Sequence, residues 1–393
     1  MLPRRALLAT PLLLAAAPAA TPLRLGVLTT LSGPAADGAG RGSVEAARLA
    51  LEDIPSVSAE LLVADMGERP EQAAAQARRW FDEDGVAAVI DVPNSAAALA
   101  VATVARERDR AALFSGAGSS AISGAQCGPN HLQWTYTTTA LARGGARAVL
   151  AEGGRDWFFL TADYAFGHAL QADATREVLA AGGKVLGGAA FPAEAGDFSA
   201  LLLQGAASGA GVIGLACTGE PFQTILKQAR EFELERRGLR LAALLCLVTN
   251  VHAVGLPVAQ GLLVASPFYW DLTPGSRAFA ARLMPRNRGI APTMTHAGVY
   301  AATRHLLRAV AAGVSTASGR ALVAAMKRLP VDDQVFEASM IRWNGSVAHP
   351  MHLFRIKAPG ESGGEWDLYR YLRTIPADVA FGSPAEAGCP EPR

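Results

Sequence analysis

From Leu23 onward the chain repeats one unit: a short apolar run, a turn rich in glycine or hydroxyl residues, then apolar positions at helical spacing. Leu23 to Thr29 reads as a strand. A Gly-rich loop follows to Gly42, and then a helix from Ser43 to Asp53 with Val44, Ala47, Leu49, Ala50 and Leu51 on its apolar face. The pattern next predicts a strand over Leu61–Asp65, a helix over Pro70–Asp82 with proline in the tolerated first turn, and a strand over Val86–Val92. That last run is continuously apolar, as a parallel strand covered on both faces should be. Asn94 or Ser95 caps a helix through Arg106, and Ala111–Ser115 is a fourth strand. The rhythm restarts with strands at Asp156–Thr161, Lys184–Phe191, Gly211–Ala216 and Leu241–Val248, interleaved with helices at Phe166–Ala181, Phe198–Ser208 and Phe222–Phe232. A third block has helices at 275–284, 293–312 and 318–328, then strands at Met340–Trp343 and Met351–Ile356. Such alternation predicts an α/β protein with doubly wound parallel sheets. At 393 residues, two cores fit better than one.

The first twenty residues break this rhythm. Arg4 and Arg5 precede an apolar run from Ala6 to Ala17, and Ala17-Pro18-Ala19 offers a small-residue cleavage site. This is the pattern of a secretory signal peptide spanning 1–20, so export is expected. The whole chain carries a formal charge of +1, and loss of the two arginines leaves a nearly neutral chain without basic clusters. Nucleic acid is therefore excluded as a natural partner. An oxidising compartment permits a disulfide. Cys127 and Cys389, both flanked by Gly or Pro, form the preferred pair, whereas Cys217 and Cys246 end apolar runs and read as buried thiols.

Catalytic signatures are missing: there is no G-x-S-x-G elbow between a strand and a helix (the string Gly360–Gly364 precedes no helical pattern), no H-E-x-x-H, no Walker motif and no clustered His or Cys ligands. Gly38, Gly40 and Gly42 lack the third glycine spacing of a dinucleotide fingerprint, so no cofactor is expected. Ligands of open α/β sheets bind outside the carboxyl ends of the strands. Four segments fall there. Ser95 follows one strand and Ser115–Ser120 another, each with a helix start behind it, an arrangement suited to a carboxylate or to simple capping. Asp163-Tyr164-Ala165-Phe166 follows the first strand of the second round, with Phe166 able to offer a ring and Asp163 to cap. Phe268-Tyr269-Trp270-Asp271 places three aromatics in a row, of which alternation lets one or two face a cleft while the others pack a core.

These segments, with Arg24-Leu25-Gly26-Val27-Leu28, Leu31-Ser32-Gly33-Pro34 and Leu49-Ala50-Leu51-Glu52-Asp53, resemble the leucine/isoleucine/valine-type family of bacterial periplasmic solute-binding proteins. The resemblance runs from about Arg24 to the C-terminal end, and the Trp157–Tyr164 and Phe268–Asp271 stretches look closest to a branch often assigned to aromatic or organic acids. It implies a type I periplasmic-binding fold: lobe 1 from 21–138 plus 268–340, lobe 2 from 139–267 plus 341–393, three hinge crossings, and a ligand held between the lobes. It also implies a monomer in the periplasm that hands a small molecule to the membrane permease of an ABC transporter, without enzymatic activity. Ser95, Ser115 and Ser119 are then expected at the ligand carboxylate, with Phe166, Asn250 and Tyr269 elsewhere in the cleft and Tyr164 and Trp270 in reserve. The family's amino-acid binders carry an acid at the end of a late lobe-two strand. Here that stretch is Val248-Thr249-Asn250-Val251-His252, a departure that favours a carboxylate ligand without an amine. A sensory module of the same fold, an amino-acid binder and an exported α/β oxidoreductase are the alternatives.

Overall fold

The computed structural model describes residues 22–33, 36–67 and 69–390. The expected signal peptide lies outside them. A first sheet is built from β1 (Leu23–Thr29), β2 (Ala59–Asp65), β3 (Ala88–Asp91), β4 (Ala111–Phe114) and β5 (His131–Gln133), connected by α1 (Gly40–Asp53), α2 (Pro70–Asp82) and α3 (Ser95–Glu107). Its strands are all parallel in the order β2-β1-β3-β4-β5, so the chain reverses direction across the sheet between β1 and β3. Helix α4 (Thr138–Ala151) leads to β6 (Asp156–Ala162), α5 (Ala165–Ala180), β7 (Lys184–Phe191), α6 (Ser199–Ala207), β8 (Val212–Ala216), α7 (Gly219–Glu231) and β9 (Arg240–Ala243). These strands make a second parallel sheet, ordered β7-β6-β8-β9.

Short helices α8 (Val248–Val254) and α9 (Leu256–Ala259) precede β10 (Leu263–Ser266). Then come α10 (Pro274–Leu283), α11 (Met294–Ala311), α12 (Gly319–Arg328), β11 (Met340–Ile341), β12 (Val347–Ala348), β13 (Met351–Ile356), β14 (Tyr369–Ile375) and α13 (Ala377–Phe381). Strands β10, β13 and β14 form an antiparallel sheet and β11 pairs with β12. Helices α10 and α11 return to pack on α1, and α12 packs on β4 and β5.

Alternation along the first sheet sorts its apolar residues. Leu25, Val27, Ile90, Leu113 and Trp134 belong to the core that includes α1 and α11, while Leu28, Val89 and Phe114 belong to the core under α2 and α3. Each such side chain, fully buried, contributes ~1.5–3 kcal/mol of transfer free energy. Both faces are covered, which is why the strands read as unbroken apolar runs.

Several elements depart from the sequence reading. Helix α1 starts at Gly40, because Thr29 Oγ1 accepts from Gly40 N at 3.1 Å and ties the Gly-rich loop down. The strand expected through Val248 stops at Ala243, because Val248 opens α8, with Asn250 Oδ1 accepting from Leu247 N at 3.0 Å. Strands β5 and β14 have no counterpart in the sequence pattern: β5 is three residues long and β14 is exposed over Arg370–Thr374. Cys127 and Cys389 are joined across a separation of 262 residues, and Cys217 and Cys246 are buried free thiols.

Candidate functional site

The carboxyl ends of the two parallel sheets face a common cavity of about 320 Å³. From the first sheet it takes Gly33, Asp37, Gly38 and Ala39 after β1, Pro93 after β3, Gly116 after β4 and Tyr136 after β5. From the second it takes Thr218, Gly219, Glu220 and Gln223 after β8, and Leu245, Leu247, Thr249, Asn250 and Ala253 after β9; Thr295 of α11 completes it. The lining contains apolar surface, hydroxyls, amides and two acids, but no Lys, Arg or His among the described residues.

Backbone capping explains what this cavity offers. Helix α1 opens at Ala39 and α7 at Thr218, and neither cap residue bonds its helix start through a side chain, although Thr29 Oγ1 takes the Gly40 N–H of α1. Thr218 Oγ1 is buried without a hydrogen-bond partner. Uncapped helix starts leave free N–H groups and a positive dipole end, which suit an anion. One such end comes from each sheet. The loop carrying Gly38 and Ala39 is pinned from α11. Thr293 Oγ1 donates to Gly38 O at 2.7 Å, and His296 Nε2 lies 2.8 Å from Ala39 O. Since His296 Nδ1 accepts from Thr293 N at 3.2 Å, Nε2 must carry the proton that bonds Ala39. Burial pushes this imidazole down to about 4, so it stays neutral. Tyr136 donates its hydroxyl to Gly116 O at 2.8 Å, and burial holds its phenol well above the ordinary range.

Of the residues expected from sequence, Asn250 lines this cavity. Ser95, Ser115 and Ser119 are buried just behind it and are not among the lining residues. Asn94, rather than Ser95, caps α3 by accepting from Ala97 N, and Ser95 Oγ accepts from Ser119 N at 3.1 Å. Ser119 Oγ accepts weakly from Ala121 N at 3.4 Å, and Ser115 Oγ has no partner. Phe166 is also buried; it stacks on Tyr164 and reaches across to Gly118, whose added Cβ would lie 2.9 Å from its ring. Tyr269 stands elsewhere, stacked on Tyr369, donating to Trp366 O at 2.8 Å and accepting from Leu368 N at 3.0 Å. Trp270 likewise donates to Trp366 O. Both rings fasten the antiparallel sheet.

Thr218, Glu220, Tyr136 and Thr295 escape the sequence reading. Their positions just after β8, after β5 and at the start of α11 carry the signal, since strand ends and helix starts are where open-sheet ligands sit. Among the described residues no cluster of His, Cys, Asp and Glu could hold a metal, and no helix is long and apolar enough to cross a membrane.

Residues 22–365 match the periplasmic binding protein family model. The chain belongs to that family. A periplasmic binding protein from Burkholderia mallei is 37% identical, with 94% of this chain and 99% of that one covered and a TM-score of 0.90. A branched-chain amino acid ABC transporter ligand-binding protein from Burkholderia xenovorans is 36% identical, covering 93% and 99%, with a TM-score of 0.83. A Rhodopseudomonas palustris solute-binding protein in complex with 4-hydroxybenzoate is 18% identical, covering 91% and 98%, at a TM-score of 0.81, and shares the fold. No curated protein matches by sequence. The doubly wound type I periplasmic-binding fold expected from the sequence is thus the fold of this binding protein, whose family consists of solute carriers rather than enzymes.

Proposed function

We propose that this periplasmic binding protein captures a small aromatic or apolar monocarboxylate between its two parallel sheets and presents it to the permease of an ABC importer. The observation that carries the reading is the pair of uncapped helix starts, α1 and α7, opening on one cavity with the unpartnered Thr218 hydroxyl. They supply donors for a carboxylate, and Pro93, Ala39, Leu245, Leu247 and Tyr136 supply apolar walls for its body. The benzoate-type ligand in a structure of the same fold is compatible with a cavity of this size. The stretch after β9 brings no acid into the cavity, in keeping with a ligand without an amine.

A specific observation favours a second reading. Asp37 and Glu220 border the cavity from opposite sheets, both exposed and without ion-pair partners among the described residues, and either could meet an ammonium group. An amino-acid ligand would use them, and the Burkholderia xenovorans relative is described as a branched-chain amino acid binder. We draw the lobes as 21–138 plus 268–340 and 139–267 plus 341–393, supported by the packing of α10 on α1 and of α11 and α12 on the first sheet. Several contacts tie part of 341–393 to the first lobe as well, among them the Ser346–Gln133 bridge, the Asn344–Ser123 and His349–Thr135 hydrogen bonds and the Cys389–Cys127 disulfide.

A thermal-shift panel on protein refolded free of carried ligand tests this. It would contain benzoate, 4-hydroxybenzoate and short aliphatic acids beside leucine and valine. At a hundred times its dissociation constant a ligand adds ~2.7 kcal/mol of stability. Stabilisation by the monocarboxylates alone is the expected result; stabilisation by leucine or valine alone selects the second reading.

A further inference from the structure

Beneath the cavity floor lies a buried acid that the binding site does not use. Asp91 ends β3, is fully buried, and neither of its carboxyl oxygens has a well-formed hydrogen bond, only the nearby hydroxyls of Ser43 and Thr29. Its backbone is left-handed, with φ +83° at Asp91 and +52° at Val92, a conformation uncommon for residues other than glycine. Strand alternation would send Asp91 to the same side as Val89, under α2 and α3. Instead Val92 takes that side, and the carboxyl group sits beside the hydroxyls of Thr29 and Ser43 toward α1. Ser43 Oγ, Ser115 Oγ and Thr135 Oγ1 are likewise buried without partners. Ser115 N donates to Asp91 O, and Ser115 and Thr135 both crowd the bare Cα of Gly298 on α11. Asp91 is one residue layer from the cavity, since Pro93, Gly116 and Tyr136 all line it.

We propose that Asp91 is a proton site coupled to the cavity: it stands as a neutral carboxylic acid in the ligand-bound protein and takes up its proton from solvent together with an anionic ligand. The surroundings support this from each side. Strand β1 brings Thr29, whose hydroxyl already accepts from Gly40 N. Helix α1 brings Ser43, while its Glu45 is paired with Arg48. The β5 end brings Thr135 and the un-ionised Tyr136. Helix α11 brings Gly298, the neutral His296 held on Ala39 O, and Tyr300, which is bonded to Asp53. No cation among the described residues offsets a charge at Asp91. Burial alone pushes the carboxyl up to about 7, against lesser opposing contributions from Ser43 and Thr29. Ionisation would place a negative charge behind the floor on which a ligand carboxylate rests. At ~10 Å and an effective dielectric constant of ~20, that repulsion weakens anion binding about tenfold. By reciprocity an anionic ligand must raise the proton affinity of Asp91.

The inference rests on the monocarboxylate reading, and the test separates the two. Benzoate binding is measured by calorimetry between about pH 6 and about pH 8.5, in buffers of different ionisation enthalpy. The wild type should lose about tenfold in affinity across that range and take up a fractional proton near pH 7.5. Asp91→Asn should bind with the same affinity throughout and take up none. A flat wild-type profile, or a slope retained in the Asn variant, overturns the proposal. If no carboxylate binds at any pH, the monocarboxylate reading fails, and the proton site is judged in the ligand-free protein. There, an infrared band of a protonated carboxyl at neutral pH, lost on alkalinisation and missing from Asp91→Asn, upholds it; no such band overturns it. If the variant does not fold, loss of the wild-type band through neutrality upholds the proposal, and its persistence overturns it. Stabilisation of the wild type at alkaline pH by sodium but not choline would make this a cation site and overturn the proposal.

Discussion

Tyr269 and Thr218 show how differently two polar side chains can be employed. The Tyr269 hydroxyl donates to Trp366 O and accepts from Leu368 N, so it serves three backbone groups counting the longer contact from Tyr369 N. Tyr269→Phe strands those groups in a buried setting and should cost about 1–3 kcal/mol in denaturant unfolding, with ligand affinity unchanged. Thr218 is the reverse case. Its hydroxyl has no partner within the fold, so Thr218→Val should leave the unliganded melting temperature within about 1 °C and weaken ligand binding about tenfold by calorimetry. Equal affinity in that variant would remove Thr218 from the site.

Helix starts decide the cavity at the next scale. The N-terminus of α11 is closed by a capping box, Thr293 with His296, and the same two side chains hold the Gly38–Ala39 loop. Thr293→Ala therefore removes a cap and a tether together. The cap is worth about 1 kcal/mol. Loss of the tether should appear separately, as faster hydrogen exchange in the loop after β1 and weaker ligand binding. The cap residues of α1 and α7 bond neither start through a side chain, and apart from Gly40 N, which Thr29 Oγ1 takes, their first N–H groups can serve a ligand.

Over the whole molecule, two features govern stability. The Cys127–Cys389 bond links residues 262 positions apart, and replacing both cysteines by serine should cost about 2–5 kcal/mol. The second feature is pH. Burial pushes His131, His296 and His349 down to about 4, well below their ordinary 6.5. A histidine with a depressed folded pKa contributes its stability fully above about 6.5 and loses it as pH falls towards 4. Asp91 works oppositely: its raised value makes the fold less stable as pH climbs from about 3.8 to about 7, with no further change above. Asp333, pushed up to about 6 by burial, acts in the same sense as Asp91, but the three histidines outweigh the two aspartates, so thermal unfolding should move to lower temperature as pH drops below about 6.5. A melting temperature rising on acidification would contradict this balance.

Element order is largely legible in the chain. Pro70–Asp82, Lys184–Phe191 and Met351–Ile356 can be read to the residue, because hydrophobic periodicity and flanking turn residues mark them directly. The pairing of Cys127 with Cys389 and the burial of the other two thiols follow from their neighbours. Strands β5 and β14 are not legible, one too short for a period and the other lacking a buried face. Site residues are legible only as segments. Chain position puts Ser95, Ser119 and Phe166 near the strand ends, but which side chains line the cavity depends on how two sheets converge, and these three are not among the residues lining it. The sequence by itself determined the class of fold, the expectation of export and the expectation of a ligand region at the strand ends. Tertiary structure alone decided that Thr218, Tyr136 and Asn250 share one cavity and that Asp91 is buried beneath it without a well-formed hydrogen bond. The reason is physical: periodicity encodes a residue's face on its own element, whereas convergence and desolvation arise only when distant elements pack.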